Sequence, residues 1–179
     1  MSRGVVVWPD DDAAHAVADV WAALEAAGIP TLASRTHQRH RPHVSLVVAD
    51  DLVPDSVQEV LGSVPGRPLP LLLNSPGVFP GGILFLTCVP NTALLEEQRR
   101  VHDLVAPIAT GMRDHCAPGA WSPHLTIAYD VDDAQLARAL PVVLDHLPIE
   151  GWLTRGGVED GESGERWPMA APVSELESD

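Results

Sequence analysis

The chain of 179 residues, 45% of them hydrophobic, is long enough for one compact domain and too short for two independent enzymes. Its 25 acidic residues outweigh 11 basic ones and give a formal net charge of −14. This charge argues against binding along a long nucleic-acid duplex, because such affinity comes largely from neutralising phosphates. No stretch is apolar enough to span a membrane, and Cys88 and Cys116 are the only cysteines, so we expect a reduced, cytoplasmic protein that makes no membrane contact.

Strand and helix patterns alternate along the chain. Strands are predicted over residues 5–8, 42–48, 69–73, 83–89, 124–129, 151–154 and 166–169. Helices are predicted over residues 10–28, 54–64, 92–112 and 132–144, with Pro107 expected to kink or interrupt the third and Pro141 weakening the fourth. Segments 76–82 and 159–165 are predicted to be turns. This order indicates an α/β or α+β sandwich with the strands at 42–48 and 124–129 central and face to face.

Those two strands begin with similar five-residue sequence motifs. Residues 42–46 are Pro-His-Val-Ser-Leu, and residues 123–127 are Pro-His-Leu-Thr-Ile. Side chains two apart on a strand share a face, so the pattern places His43 with Ser45. His124 and Thr126 are related in the same way. Two copies indicate two related halves that each deliver an imidazole and a hydroxyl to a shared cleft.

Two histidines and two hydroxyls suit metal-independent phosphodiester cleavage. One neutral histidine removes a proton from the attacking oxygen, and one protonated histidine gives a proton to the departing oxygen. Ser45 and Thr126 are placed to donate hydrogen bonds to the non-bridging phosphate oxygens. The pattern does not say which of His43 and His124 is the acid. The spacing of His37, His40 and His43 also resembles a metal site, but a second ligand cluster is not evident and no metal is expected.

By these motifs the chain resembles the 2H phosphoesterase superfamily, which includes RNA 2′,3′-cyclic phosphodiesterases often labelled 2′-5′ RNA ligases. The family signature is two His-x-Ser/Thr-hydrophobic motifs, and the first copy here carries Ser where many members carry Thr. The resemblance extends to about Trp167 and implies an α+β, two-lobed fold with pseudo-twofold, antiparallel-rich sheets and outer helices around a central cleft. It implies no cofactor. We expect one domain over residues 1–173 and a frayed acidic tail over residues 174–179.

The resemblance implies hydrolysis of a nucleoside or RNA-terminal 2′,3′-cyclic phosphate, and we expect the protein to be a monomer. ADP-ribose cyclic phosphate, 2′-5′ oligoadenylate and cyclic oligonucleotides are alternative substrates, and a non-catalytic nucleotide-binding module is the alternative of a different class.

Further residues are candidates for contacts with substrate. Arg41 shares the face of His43, and Phe79 or Trp121 is suited to stack a base, with core packing as the alternative for either ring. Tyr129 is at an odd offset from His124 and reaches the cleft only where the strand ends. Basic side chains crowd before the first motif, as a local phosphate attractor or as a solvated loop: Arg35, His37, Arg39, His40 and Arg41.

Overall fold

The computed structural model describes residues 2–35 and 39–170. Its strands are β1 (Arg3–Pro9), β2 (Val44–Ala49), β3 (Leu69–Phe79), β4 (Ile83–Cys88), β5 (His124–Ala128), β6 (Ile149–Asp160) and β7 (Arg166–Pro168). Its helices are α1 (Asp11–Ala26), α2 (Leu32–Arg35), α3 (Pro54–Leu61), α4 (Thr92–Val105) and α5 (Asp133–Leu144), with a 3₁₀ turn at Asp114–Cys116. The tail predicted over residues 174–179 lies outside the described residues, as does His37.

The strands of the described residues form one antiparallel sheet. Hydrogen-bonded neighbours follow the order β2-β1-β6-β3-β4-β5, and β7 pairs with β6. The fold is therefore α+β, as expected. The short α2 and the 3₁₀ turn aside, the chain contains two copies of one unit, β1-α1-β2-α3-β3 and β4-α4-β5-α5-β6. The third strand of each unit pairs with the first strand of the other, so the two lobes share one continuous sheet.

The motif strands β2 and β5 occupy the two ends of this hydrogen-bonded order, so the prediction that they are central is wrong. They nevertheless contact each other. The sheet must therefore curve until its two end strands meet. The cleft forms at this meeting point.

The turn predicted over residues 76–82 is mostly strand, because β3 continues to Phe79. Pairing of β3 with β6 ends at Leu73, and beyond it β3 pairs with β4 alone. A strand with one neighbour tolerates the missing N–H of Pro76. The turn is confined to residues 80–82. The acidic turn predicted over residues 159–165 is wrong at its start, since Glu159 and Asp160 are buried residues of β6.

The helices show two effects of proline. Helix α4 ends at Val105, two residues before Pro107, so the predicted interruption at Pro107 is confirmed and residues 106–112 do not belong to the helix. Helix α5 continues through Pro141 and begins with a capping box between Asp132 and Gln135. Helix α1 packs against β6 and α5, and α4 packs against β2, β3 and α3. Within the described residues, none of these helices is both long and apolar enough to cross a membrane.

Both cysteines are buried in this core as free thiols, as predicted. Burial raises the pKa of both Cys88 and Cys116. Neither thiol is in the lowered-pKa environment that activates a nucleophile.

Candidate active site

The four motif side chains meet in one cavity of about 510 Å³, which we call the histidine cavity. His43 and Ser45 come from β2 and the residue before it, and His124 and Thr126 from β5. The alternate residues of both strands face the core with no exposed surface: Val44, Leu46, Leu125 and Ile127. Strand alternation thus turns each histidine and hydroxyl toward the cavity because the apolar residues between them are buried.

Both imidazoles are held by the same kind of hydrogen bond. Nδ1 of His43 lies 2.9 Å from the carbonyl oxygen of Arg41, and Nδ1 of His124 lies 2.7 Å from that of Ser122. A carbonyl oxygen only accepts, so Nδ1 carries the hydrogen in each ring. The carbonyl is two residues before the histidine in both copies, with proline between. The Nε2 atom of each ring is therefore the one left for proton transfer.

The two histidines differ in what surrounds them. The ring of His124 packs edge-on against Phe79 and Phe85, with centroid distances of 4.8 and 5.2 Å. Burial lowers the pKa of His124, the charges of His43 and His115 lower it further, and the bond to Ser122 opposes the shift. The environment of His124 thus favours the neutral imidazole.

A buried carboxylate lies beside His43 instead. Glu159 is 2% exposed, and its Oε1 is 3.6 Å from Nδ1 of His43 and 3.7 Å from Nε2 of His40. Its Oε2 accepts a hydrogen bond of 3.4 Å from the indole of Trp8, whereas Oε1 accepts none from the described residues. Glu159 therefore distinguishes the environment of His43 from that of His124.

Strand registers show that Glu159 and Phe79 occupy equivalent places in the two halves. In one half, Thr126 on β5 pairs with Phe85 on β4, which pairs in turn with Gly77 on β3. In the other half, Ser45 on β2 pairs with Val6 on β1, which pairs in turn with Gly157 on β6. Phe79 is two residues beyond Gly77, and Glu159 is two residues beyond Gly157. The same position thus contacts the motif histidine in each half, with a phenyl ring on one side and a carboxylate on the other.

The remaining candidates from the sequence divide between two cavities. Phe79, Trp121 and Tyr129 line the histidine cavity, and Tyr129 does so just beyond the end of β5. The indole of Trp121 also donates a hydrogen bond of 3.0 Å to the carbonyl oxygen of Ser45, which ties the loop before β5 to β2. Arg41 lines a neighbouring cavity rather than this one.

Sequence reasoning missed Glu159 and Phe85. The sequence predicts an acidic turn at Glu159, because nothing in its neighbourhood signals the unusual length of β6. Phe85 is one of several apolar residues in its strand, and the sequence does not distinguish it from them. Among the described residues, no group of three side chains is arranged to hold a metal ion, and the spacing that includes His37 falls partly outside them.

Two pseudo-equivalent strands that each bring a histidine and a hydroxyl to one cavity define a 2H phosphoesterase. A sequence model of the 2′-5′ RNA ligase superfamily matches residues 9–158, which include both motifs, and the chain belongs to this family. Among solved structures, the chain matches Usb1 from Kluyveromyces marxianus at 12% identity and a TM-score of 0.48, covering 94% of this chain and 97% of that one. Usb1 with uridine monophosphate matches at 11% identity and a TM-score of 0.47 over the same shares. No curated protein matches the sequence.

Proposed function

We propose that this protein hydrolyses a 2′,3′-cyclic phosphate at the end of a nucleoside or short RNA by two-histidine acid–base catalysis. The observation that carries the proposal is the pair of histidines in one cavity, each bound through Nδ1 to a carbonyl so that Nε2 is available. Hydrolysis of a cyclic phosphodiester requires that one proton be removed from water and one be given to the departing ribose oxygen. Two such histidines meet both needs.

The surroundings of the histidines support a division of the two roles. His124, with its lowered pKa, takes the proton of the attacking water at Nε2. The water oxygen forms a bond to phosphorus, and the bond from phosphorus to one ribose oxygen breaks. His43, beside the Glu159 carboxylate, gives its Nε2 proton to that departing oxygen. One proton is taken and one is given, so the pair ends in the opposite protonation states and is reset through solvent.

The two hydroxyls stabilise the charge that develops on phosphorus. Ser45 and Thr126 line the cavity on the same strands as the histidines and are available to donate to the non-bridging oxygens. Phe79, Trp121 and Tyr129 add an aromatic lining that suits a nucleobase. In the RNA-processing members that the sequence resembles, the 3′ oxygen departs, and we expect the same 2′-phosphate product here.

A substrate panel in the presence of EDTA tests the proposal. It contains 2′,3′-cyclic mononucleotides, an RNA with a cyclic end, ADP-ribose cyclic phosphate and 2′-5′ oligoadenylate, with products separated by chromatography and assigned by phosphorus NMR. We expect hydrolysis of cyclic-phosphate substrates without added metal, and loss of that hydrolysis in His43→Asn. Binding without turnover across the whole panel would instead identify a nucleotide-binding module.

A further inference from the structure

A second cavity, of about 830 Å³, concentrates the basic residues of an otherwise acidic protein. All 11 basic residues of the chain are arginines. Four of them line this one cavity, which we call the arginine cavity: Arg39, Arg41, Arg155 and Arg166. Asp11 and Glu165 are the acidic residues in its lining, so the lining side chains carry a net positive charge. In a chain of net charge −14, such a site is a local attractor for anions.

Within the described ranges, three of these guanidiniums form no ion pair with a carboxylate. Arg155 makes an exposed contact of 3.2 Å with Asp11, in which the two side chains are 58% and 83% exposed, so the pair is weak. Among the described residues, no carboxylate forms an ion pair with Arg39, Arg41 or Arg166. Burial and the nearby charge of Arg41 lower the pKa of Arg166, while Glu159 opposes the shift. Guanidiniums that line one cavity and lack carboxylate partners favour a bound anion.

The arginine cavity adjoins the first half of the active site. Arg41 and Pro42 line it, and the next residue, His43, lines the histidine cavity. The carbonyl of Arg41 accepts the hydrogen bond that orients His43. Trp8 lines the same cavity and binds the Glu159 carboxylate through its indole nitrogen. Its ring offers an aromatic surface beside the guanidiniums, a combination that suits a nucleotide.

We infer that the arginine cavity binds a second phosphoryl group of the substrate while the cyclic phosphate lies at the histidines. This inference rests on the proposed function and narrows it: the preferred substrate carries at least two phosphoryl groups, and a cyclic mononucleotide is a poor substrate. The second group belongs either to the phosphodiester backbone of a short oligonucleotide or to a diphosphate linkage such as that of ADP-ribose cyclic phosphate. Both present the negatively charged oxygens that planar guanidiniums bind in pairs.

Kinetics on three substrates test the inference. They are uridine 2′,3′-cyclic phosphate, a trinucleotide ending in a 2′,3′-cyclic phosphate, and ADP-ribose cyclic phosphate. The wild type should favour at least one of the larger two by about tenfold or more in kcat/KM, on the scale of one charge-assisted hydrogen bond. Arg39→Gln and Arg166→Gln should each remove about tenfold of kcat/KM on that substrate and much less on the mononucleotide. The substrate whose kcat/KM falls most in the arginine variants identifies the source of the second phosphoryl group.

Arg138→Gln is the matched control, because Arg138 is an exposed arginine on α5 that lines neither cavity. This variant should have the wild-type kcat/KM on all three substrates. If Arg166→Gln fails to fold, Arg39→Gln still tests the inference, because Arg39 is exposed. Equal kcat/KM of the wild type on all three substrates, with no discrimination by the arginine variants, overturns the inference and leaves the proposed function standing.

A binding measurement separates the inference from the proposed function. Calorimetry compares uridine 3′-monophosphate with a dinucleotide that carries one backbone phosphate and one 3′-phosphate. Arg39→Gln should weaken binding of the dinucleotide about tenfold and leave the mononucleotide nearly unaffected. If the wild type hydrolyses nothing, the proposed function fails, and this measurement still decides whether the arginine cavity takes a phosphoryl group. If Arg39→Gln weakened binding of both ligands equally, or of neither, the inference that the arginine cavity binds a phosphoryl group would be contradicted.

Discussion

Replacement of His124 by Asn separates its chemistry from its structural role. An Asn amide keeps an N–H able to donate to the carbonyl of Ser122, as Nδ1 does over 2.7 Å, but it neither takes nor gives a proton. Loss of one acid–base group costs about 10²- to 10⁴-fold in rate, or roughly 3–5 kcal/mol of transition-state stabilisation. We expect a loss of kcat in this range for His124→Asn.

His124→Ala removes the hydrogen bond as well. Its rate should fall as far as that of the Asn variant, while its free energy of unfolding should be lower than that of the Asn variant by about 1 kcal/mol, the net value of one hydrogen bond. Both variants lose the edge-on contacts with Phe79 and Phe85, so those contacts do not affect the comparison. Single-turnover kinetics on a cyclic-phosphate substrate and urea denaturation measure the two quantities.

His146 is the matched control. Its Nδ1 lies 2.8 Å from the carbonyl oxygen of Val142, the same kind of contact, but it lines neither the histidine cavity nor the arginine cavity. His146→Asn should keep full activity. If His124→Asn kept more than a tenth of the wild-type rate, proton transfer by this residue would be refuted.

Three further variants test the surroundings of the histidines. Phe79→Ala exposes the second-motif histidine and raises its lowered pKa, so the acid limb of the kcat/KM profile should move to higher pH, because the base works only when neutral. Glu159→Gln removes the negative charge beside the first-motif histidine at nearly the same side-chain size, so kcat on a cyclic-phosphate substrate should fall; an unchanged kcat would contradict a role for this carboxylate. A Cβ at Gly77 would overlap the Phe85 ring, so Gly77→Ala should lower the free energy of unfolding by roughly 1–3 kcal/mol in urea titrations.

Local patterns predicted the elements that carry the motif residues. Each half-site needs only a short strand on which one face is buried, and the alternation of residues 43–46 and 124–127 records that directly. The capping residues Asp10 and Asp132 likewise mark true helix starts, since both accept hydrogen bonds from the first turn. These features depend on neighbours within a few residues, which is why one sequence is enough to predict them.

The features that the sequence did not reveal depend on distant strand pairing. Glu159 and Pro76 both sit among residues typical of turns, yet both belong to long strands because β3 and β6 each extend past their shared pairing to join a different neighbour. Extension of this kind is a property of the sheet order and leaves no local signal. The curvature that brings β2 to β5 is hidden from local patterns for the same reason.

Those same extensions give a symmetric fold two unlike histidines. A hydrolysis needs a base and an acid at the same moment, and two identical half-sites supply two identical groups. Here the extension of β3 places Phe79 against His124, and the equivalent extension of β6 places Glu159 against His43. Burial beside aromatic rings lowers the pKa of His124, whereas a buried carboxylate lies 3.6 Å from the ring of His43. The arginine cavity, which Arg41 and Pro42 line, adjoins the His43 half of the site. The duplication of the fold thus supplies two histidines, and the two strand extensions give those histidines different surroundings.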